Sequence, residues 1–151
     1  MSPFKPESVA FEAGRIMLSR IEHLFPDNQT FTIETTLATK IYKNKIIEAR
    51  TQGYKVILLF FWLESVEMAI NRVRTRVAEG GHDIPEDVII RRYFSGNRNL
   101  FDFYIEIVDQ VMIFDSSDPL PTTIAYKTTG KDFTIKQLEK FNKLKDIYHG
   151  R

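Results

Sequence analysis

Two stretches of this chain carry side chains suited to holding a phosphate or a sugar. The first is Glu34-Thr35-Thr36-Leu37-Ala38; the second runs from Arg72 through Arg74, Arg76, Gly80, Gly81, His82 and Pro85 to Arg91-Arg92-Tyr93. In the first, Glu34 can accept a sugar hydroxyl or a proton, and Thr35 and Thr36 supply hydroxyl donors. The setting is right if a strand ends there and a helix begins, because ligands of open α/β sheets bind at strand ends and unpaired helical N–H groups face an anion. The plainer reading is a threonine that caps the helix. In the second stretch, Arg72 and Arg76 stand four apart and share a helix face opposite the valines. Guanidinium forks spread positive charge over phosphate oxygens, as phosphoryl transfer requires. Gly80-Gly81 permits a hinge able to close over a nucleotide. A solvated charged face laced with Glu79 and Glu86 accounts for the same residues.

His82 invites an acid–base role because histidine is the residue type whose charge changes near neutral pH, although a lone loop histidine is more often structural. His23, His82 and His149 lie far apart without ligand spacing, so no metal site is expected. Asp102, Glu106 and Asp109 read as helix surface. Phe94, Phe101, Phe103 and Tyr104 read as core in preference to a base-stacking platform, and so does Trp62.

The elements that must position these residues follow from periodicity. Val9, Ala13, Ile16, Met17, Ile21 and Leu24 recur at helical steps after Pro6, and Pro26-Asp27-Asn28 ends that helix. Thr30 to Glu34 alternates like a strand, a helix is expected from about Thr36 to Arg50, and Gly53 supplies its left-handed stop. Lys55 to Trp62 is apolar nearly throughout, which suggests a strand buried on both faces, as in a parallel sheet. A helix from Ser65 stops at Gly80-Gly81, and Pro85-Glu86-Asp87 starts another. Val111 to Phe114 and Thr122 to Tyr126 read as strands, and Gly130-Lys131 as a hairpin turn toward Phe133 to Ile135. A closing helix follows from about Lys136 to Tyr148. Strands alternating with helices predict an α/β fold with a mostly parallel sheet and helices on both faces.

Composition bounds the partners. The chain has 151 residues, one ordinary domain over its whole length, with 43% hydrophobic and 27% charged residues. A net charge of +1 supplies no general field for nucleic acid or an anionic membrane, and neither partner is expected. Cysteine is absent, which removes disulfide and thiolate chemistry. The apolar run Val56 to Leu63 is far short of the roughly 20 residues of a spanning helix. The N-terminus has no apolar signal region, so a cytoplasmic location is the default expectation.

Beyond these patterns, the order Ala13-Gly14-Arg15, Phe31 to Ala38, Gly53 to Leu63, Ser65 to Tyr93, Asn99-Leu100, Val108-Asp109 and Asp115 to Ser117 resembles the zeta-toxin-like P-loop kinases. The resemblance spans Ala13 to Ala125 and is most specific from Arg72 to Tyr93. It implies an ATP- and Mg-dependent kinase of a small molecule, for zeta toxins a UDP-activated amino sugar, with an antitoxin protein as partner. By position, Glu34 and Thr36, with Thr35 between them, look like substrate contacts. Arg76, with Arg72 beside it, looks like the phosphate-contacting lid arginine. His82 and Arg92 fall in the rest of that lid, and Asp115 matches an Asp-Asn-Ser on the nucleotide side, with Ser116 where Asn is usual.

The chain departs from the family at its start. The glycines include no GxxxxGK[ST] spacing, and the Asp that serves the family as general base has no counterpart. Without the loop's N–H cradle and lysine, ATP phosphates lose their main site, and without the Asp the hydroxyl loses its base. Three expectations follow: a kinase-like chain inactive by itself, a non-catalytic binder of a nucleotide sugar, phosphate or protein partner, or an unrelated RNA-binding module. The family's first strand lies between the strand ending in Glu34 and the strand Lys55–Trp62. Its loss leaves a gap to be closed by direct pairing, by a shifted N-terminal helix, or by a homodimer.

Overall fold

A computed structural model of the chain describes residues 6–150, with side chains from residue 12 onward; Val9 of the expected first stripe lies outside the described side chains. Helix α1 (Pro6–Leu24) starts on proline, whose missing N–H costs nothing in a first turn. Its stripe is used at one end: Ile21 and the following Phe25 are buried, whereas Ile16 is 60% exposed. Ile21, Phe25 and Ala49 form a small second core with Phe31, Ile33, Tyr54 and Val56 packed around it. The Tyr54 hydroxyl, donating to the Leu24 and Phe25 carbonyls at 3.2 and 3.3 Å, ties the end of α1 to it.

The expected strand at Thr30–Glu34 is absent. The stretch is extended, with Phe31 and Ile33 turned to the small core and Thr32 and Glu34 to water, but no strand lies alongside to make a ladder. Alternation predicts an extended backbone with one buried side; it does not supply a neighbour. The helix expected from Thr36 begins at Lys43 instead, as α2 (Lys43–Thr51). Leu37, buried in the main core, adopts φ 54°, a left-handed conformation that no helix tolerates. The intervening stretch is stapled down: Asn99 Nδ2 donates to the Leu37 carbonyl at 2.7 Å, and the Tyr104 hydroxyl to the Thr39 carbonyl at 2.7 Å.

Strand β1 (Ile57–Trp62) is followed by α3 (Val66–Ala78), capped by Ser65, whose hydroxyl accepts the Met68 N–H at 3.3 Å. Helix α4 (Glu86–Asn99) has acids in its first turn and runs through a π-helical stretch, Leu100–Tyr104, into the short α5 (Ile105–Ile107). Strands β2 (Gln110–Asp115), β3 (Thr122–Thr128) and β4 (Thr134–Ile135) precede α6 (Leu138–His149). The four strands lie in the order β1-β2-β3-β4. Pair β1/β2 is parallel, with Leu58 opposite Val111 and Phe60 opposite Ile113; β2/β3 and β3/β4 are antiparallel. The expectation of a mostly parallel sheet is therefore corrected. After β2 the connections are too short for a crossover: a loop at 116–121 and a turn at Gly130 (φ 74°) reverse the chain.

The sheet is also covered on one face, where two were expected. Leu58, Phe60, Trp62, Val111, Ile113 and Ala125 face a core built with Leu100, Tyr104, Phe141 and Leu144 from the helices. The other face, with Ile57, Leu59 and Phe61 about half exposed, has no buried side chain. Among the described residues, no helix is long and apolar enough to cross a membrane.

Candidate functional site

The carboxyl ends of β1 and β2 meet in a polar cluster. Asp115, 3% exposed, closes β2. Its Oδ1 accepts the Ser117 N–H at 2.9 Å, an Asx turn that starts the loop, and its Oδ2 accepts from Lys140 of α6. Burial pushes the Asp115 carboxyl up, but the hydrogen bonds from Lys140 and Ser117 outweigh it and hold it below the usual carboxylate value; Lys140 is raised in turn. Arg72 leans on the next residue, with Nη2 3.4 Å from both the carbonyl and the hydroxyl of Ser116. Across the cluster, the Ser117 hydroxyl accepts the Glu64 N–H at 3.2 Å, and Glu64 pairs with Lys143. The Tyr93 hydroxyl donates to the Leu63 carbonyl at 2.9 Å, and burial pushes it up to about 12. Beside it, buried Trp62 Nε1 does not reach hydrogen-bond geometry with any partner.

One turn farther along α3 the character changes. Arg74 bridges to Glu86 of α4 at 3.0 Å on the surface. Arg76 contributes its carbonyl to the turn, accepting the Gly81 N–H at 2.7 Å. A Cβ on Gly81 would lie 2.7 Å from that same oxygen, so the turn requires glycine there as well as at Gly80 (φ 92°). The guanidinium of Arg76, the ring of His82 and the guanidinium of Arg92 are all without a hydrogen bond or ion pair among the described residues. Arg76 and His82 are exposed, whereas Arg92 is half-buried on α4.

The Glu34 stretch reaches α4 through Thr36. Its carbonyl lies 2.5 Å from where a Cβ on Gly96 would stand, one turn along α4 from Arg92. Thr35 Oγ1 accepts the Leu37 N–H at 3.2 Å, so this threonine caps the left-handed turn and not a helix. Glu34 is exposed and makes no side-chain hydrogen bond or ion pair among the described residues.

The fold thus joins Arg72 to the Asp115–Ser116 corner and brings Thr36 against the helix that carries Arg92. Among the described residues, no hydrogen bond or ion pair links Glu34 to Arg76 or His82. Lys140 and Gly96 escaped the sequence reading, and Tyr93 entered it only as the end of the arginine stretch. Gly96 inside a helical pattern was the one available signal, since a glycine held there against its helix cost marks a close approach. The Lys140–Asp115 pair spans 25 positions and leaves no local trace.

No family model and no solved structure matches the chain. A protein of Haemophilus influenzae strain Rd, described as uncharacterized, is 28% identical over 93 residues, covering 62% of this chain and 66% of that protein, just under two thirds of its length.

Proposed function

We propose that this chain binds a phosphate-bearing small molecule, with a nucleotide sugar as the first candidate, as a non-transferring relative of the zeta-toxin-like kinases. The observation that carries this is Arg92: half-buried, and unpaired among the described residues. A partly desolvated guanidinium without a counter-ion is costly, and an arriving phosphate supplies the missing charge and accepts a fork of hydrogen bonds. Thr36, packed one helical turn away, is placed to add a hydroxyl, and Arg76 adds a second cation from the Gly80-Gly81 turn. Arg72 and Asp115 have different duties in this reading. They hold the β2 corner with Ser116 and Lys140, which positions α3 against the strand ends.

The donor set does not fit a magnesium–triphosphate. Asp115 is engaged by Lys140 and Ser117, and no three acidic or histidine side chains converge among the described residues. No transfer step is therefore derived. Calorimetric titration of the purified chain with UDP-N-acetylglucosamine, UMP and inorganic phosphate tests the reading. Saturable binding of UDP-N-acetylglucosamine and UMP, weakened about ten-fold or more by Arg92→Ala, is the expected result. Absence of binding by any of the three, or equal binding by Arg92→Ala, overturns it.

A further inference from the structure

Two departures from regular backbone geometry meet at one contact, beside the helix that carries Arg92. The first is the π-helical stretch Leu100–Tyr104, where the Ile105 N–H donates to the Leu100 carbonyl, five residues back. The second is Leu37, whose φ of 54° is costly for a side chain of its size. In a regular α-helix, residues five apart stand about 140° from each other around the axis. A five-residue hydrogen-bonded turn brings them to the same side instead. Asn99 and Tyr104 are such a pair. Asn99, 6% exposed, donates from Nδ2 to the Leu37 carbonyl at 2.7 Å, and the buried Tyr104 donates from its hydroxyl to the Thr39 carbonyl at 2.7 Å. The Thr36 carbonyl rests against Gly96. Residues 36, 37 and 39 thus lie against 96, 99 and 104 in turn, and the segment runs along the helix as a strap.

Burying an apolar side chain does not by itself call for a left-handed backbone. A strained conformer persists only where its surroundings fix it; such residues cluster at ligand clamps, and π-helical stretches at functional sites. Here the fixing groups are Asn99 on the carbonyl of Leu37 and Thr35 Oγ1 on its N–H. Outward, the turn presents Glu34, Thr35 and Thr36, all exposed, with Thr36 one helical turn along α4 from Arg92.

We propose that Asn99 and Tyr104 are positioning residues for the phosphate site. Through the π-helical register they hold the strap in its left-handed turn and set Thr36 near Arg92 before a ligand arrives. The assignment rests on the phosphate-binding reading of Arg92 and adds the groups that fix the second wall of that site. Both residues are buried behind the strap, out of a ligand's reach, so they act through it. A wall already in place spares the ligand the cost of ordering a loop.

Titration of ¹³C,¹⁵N-labelled chains with UDP-N-acetylglucosamine, at a temperature where every variant is folded, tests this through two readouts. One is affinity; the other is the pair of Leu37 Cα and Cβ shifts, which report the left-handed turn. In the free wild type those shifts should already mark a left-handed residue. Asn99→Ala should move them to ordinary extended values and weaken binding about ten-fold, and Tyr104→Phe should weaken it about three-fold. A role in stability alone would lower the melting temperature of both variants and leave their affinity unchanged. That outcome overturns the proposal while the phosphate reading stands. Weaker binding with the Leu37 shifts unmoved also overturns it, since the strap would not be the route. A wild-type chain that binds nothing removes the phosphate reading and this inference together. Should Asn99→Ala fail to fold, Tyr104→Phe, which keeps its ring in the core, decides by the same two readouts.

Discussion

The strand-end corner and the outer arginine region lie one helical turn apart on α3, yet they treat charge in opposite ways. At the corner, Asp115 pairs with Lys140, Glu64 pairs with Lys143, and Arg72 leans on Ser116. In the outer region, Arg76, His82 and Arg92 have no partner among the described residues. Partnered charges lock loops and helices into place, while unpartnered ones keep their hydrogen-bonding capacity for a ligand. Residue type did not distinguish the two regions: Arg72 stands at the corner and Arg76 in the outer region, one turn apart on α3, and the difference arises from what each can reach.

The comparison breaks most readily at the corner. Asp115→Ala removes the acceptor for the Ser117 N–H and the counter-ion of Lys140. Because Lys140 is partly exposed, the expected loss is about 2–3 kcal/mol, below that of a fully buried pair, measured by urea unfolding. A loss under about 0.5 kcal/mol would place Asp115 among ordinary surface residues.

Gly96→Ala comes next. The added Cβ meets the Thr36 carbonyl at 2.5 Å, and a rigid backbone oxygen cannot retreat cheaply. About 1–3 kcal/mol of destabilisation is expected, together with displacement of the 34–36 stretch. Unchanged stability would show that this stretch does not rest on α4.

A smaller effect is the acid response. Since the Asp115 carboxyl is held low in the folded chain, its stabilisation is present above the unfolded value near about 3.9 and is lost as pH falls through the folded value. Melting temperatures of the wild type and Asp115→Asn should therefore converge below about pH 4 and separate above it. Parallel curves across that range would remove Asp115 from the acid response.

Smallest of all is the stability change for Arg92→Ala, within about 0.5 kcal/mol without ligand, since no hydrogen bond or ion pair is broken. A loss above about 1 kcal/mol would assign Arg92 to the fold and not to a ligand.

What could be read in advance divides along the same physical line. Helix positions set by local signals were legible: Pro85 with Glu86 and Asp87 opening α4, Ser65 capping α3, and Gly130 turning β3 into β4. The apolar run Ile57–Trp62 was legible as a strand, but its two-sided apolarity pointed to burial on both faces, whereas one face is left open. Composition cannot say whether a covering layer exists. The extended form of Phe31–Ile33 was legible and its lack of a neighbour was not, because pairing depends on residues far away in sequence. Within the site, the arginines were visible by type. Which of them would find partners was not, because that depends on where the fold sets Ser116 beside Arg72 and Glu86 beside Arg74.

The division between occupied and available arginines can be measured directly from the side-chain Nε–H resonances of a ¹⁵N-labelled chain titrated with UDP-N-acetylglucosamine. The Arg92 signal, with that of Arg76, should shift and saturate while those of Arg72 and Arg74 stay in place. Shifts of Arg72 as large as those of Arg92, or no shift at millimolar ligand, would contradict the account.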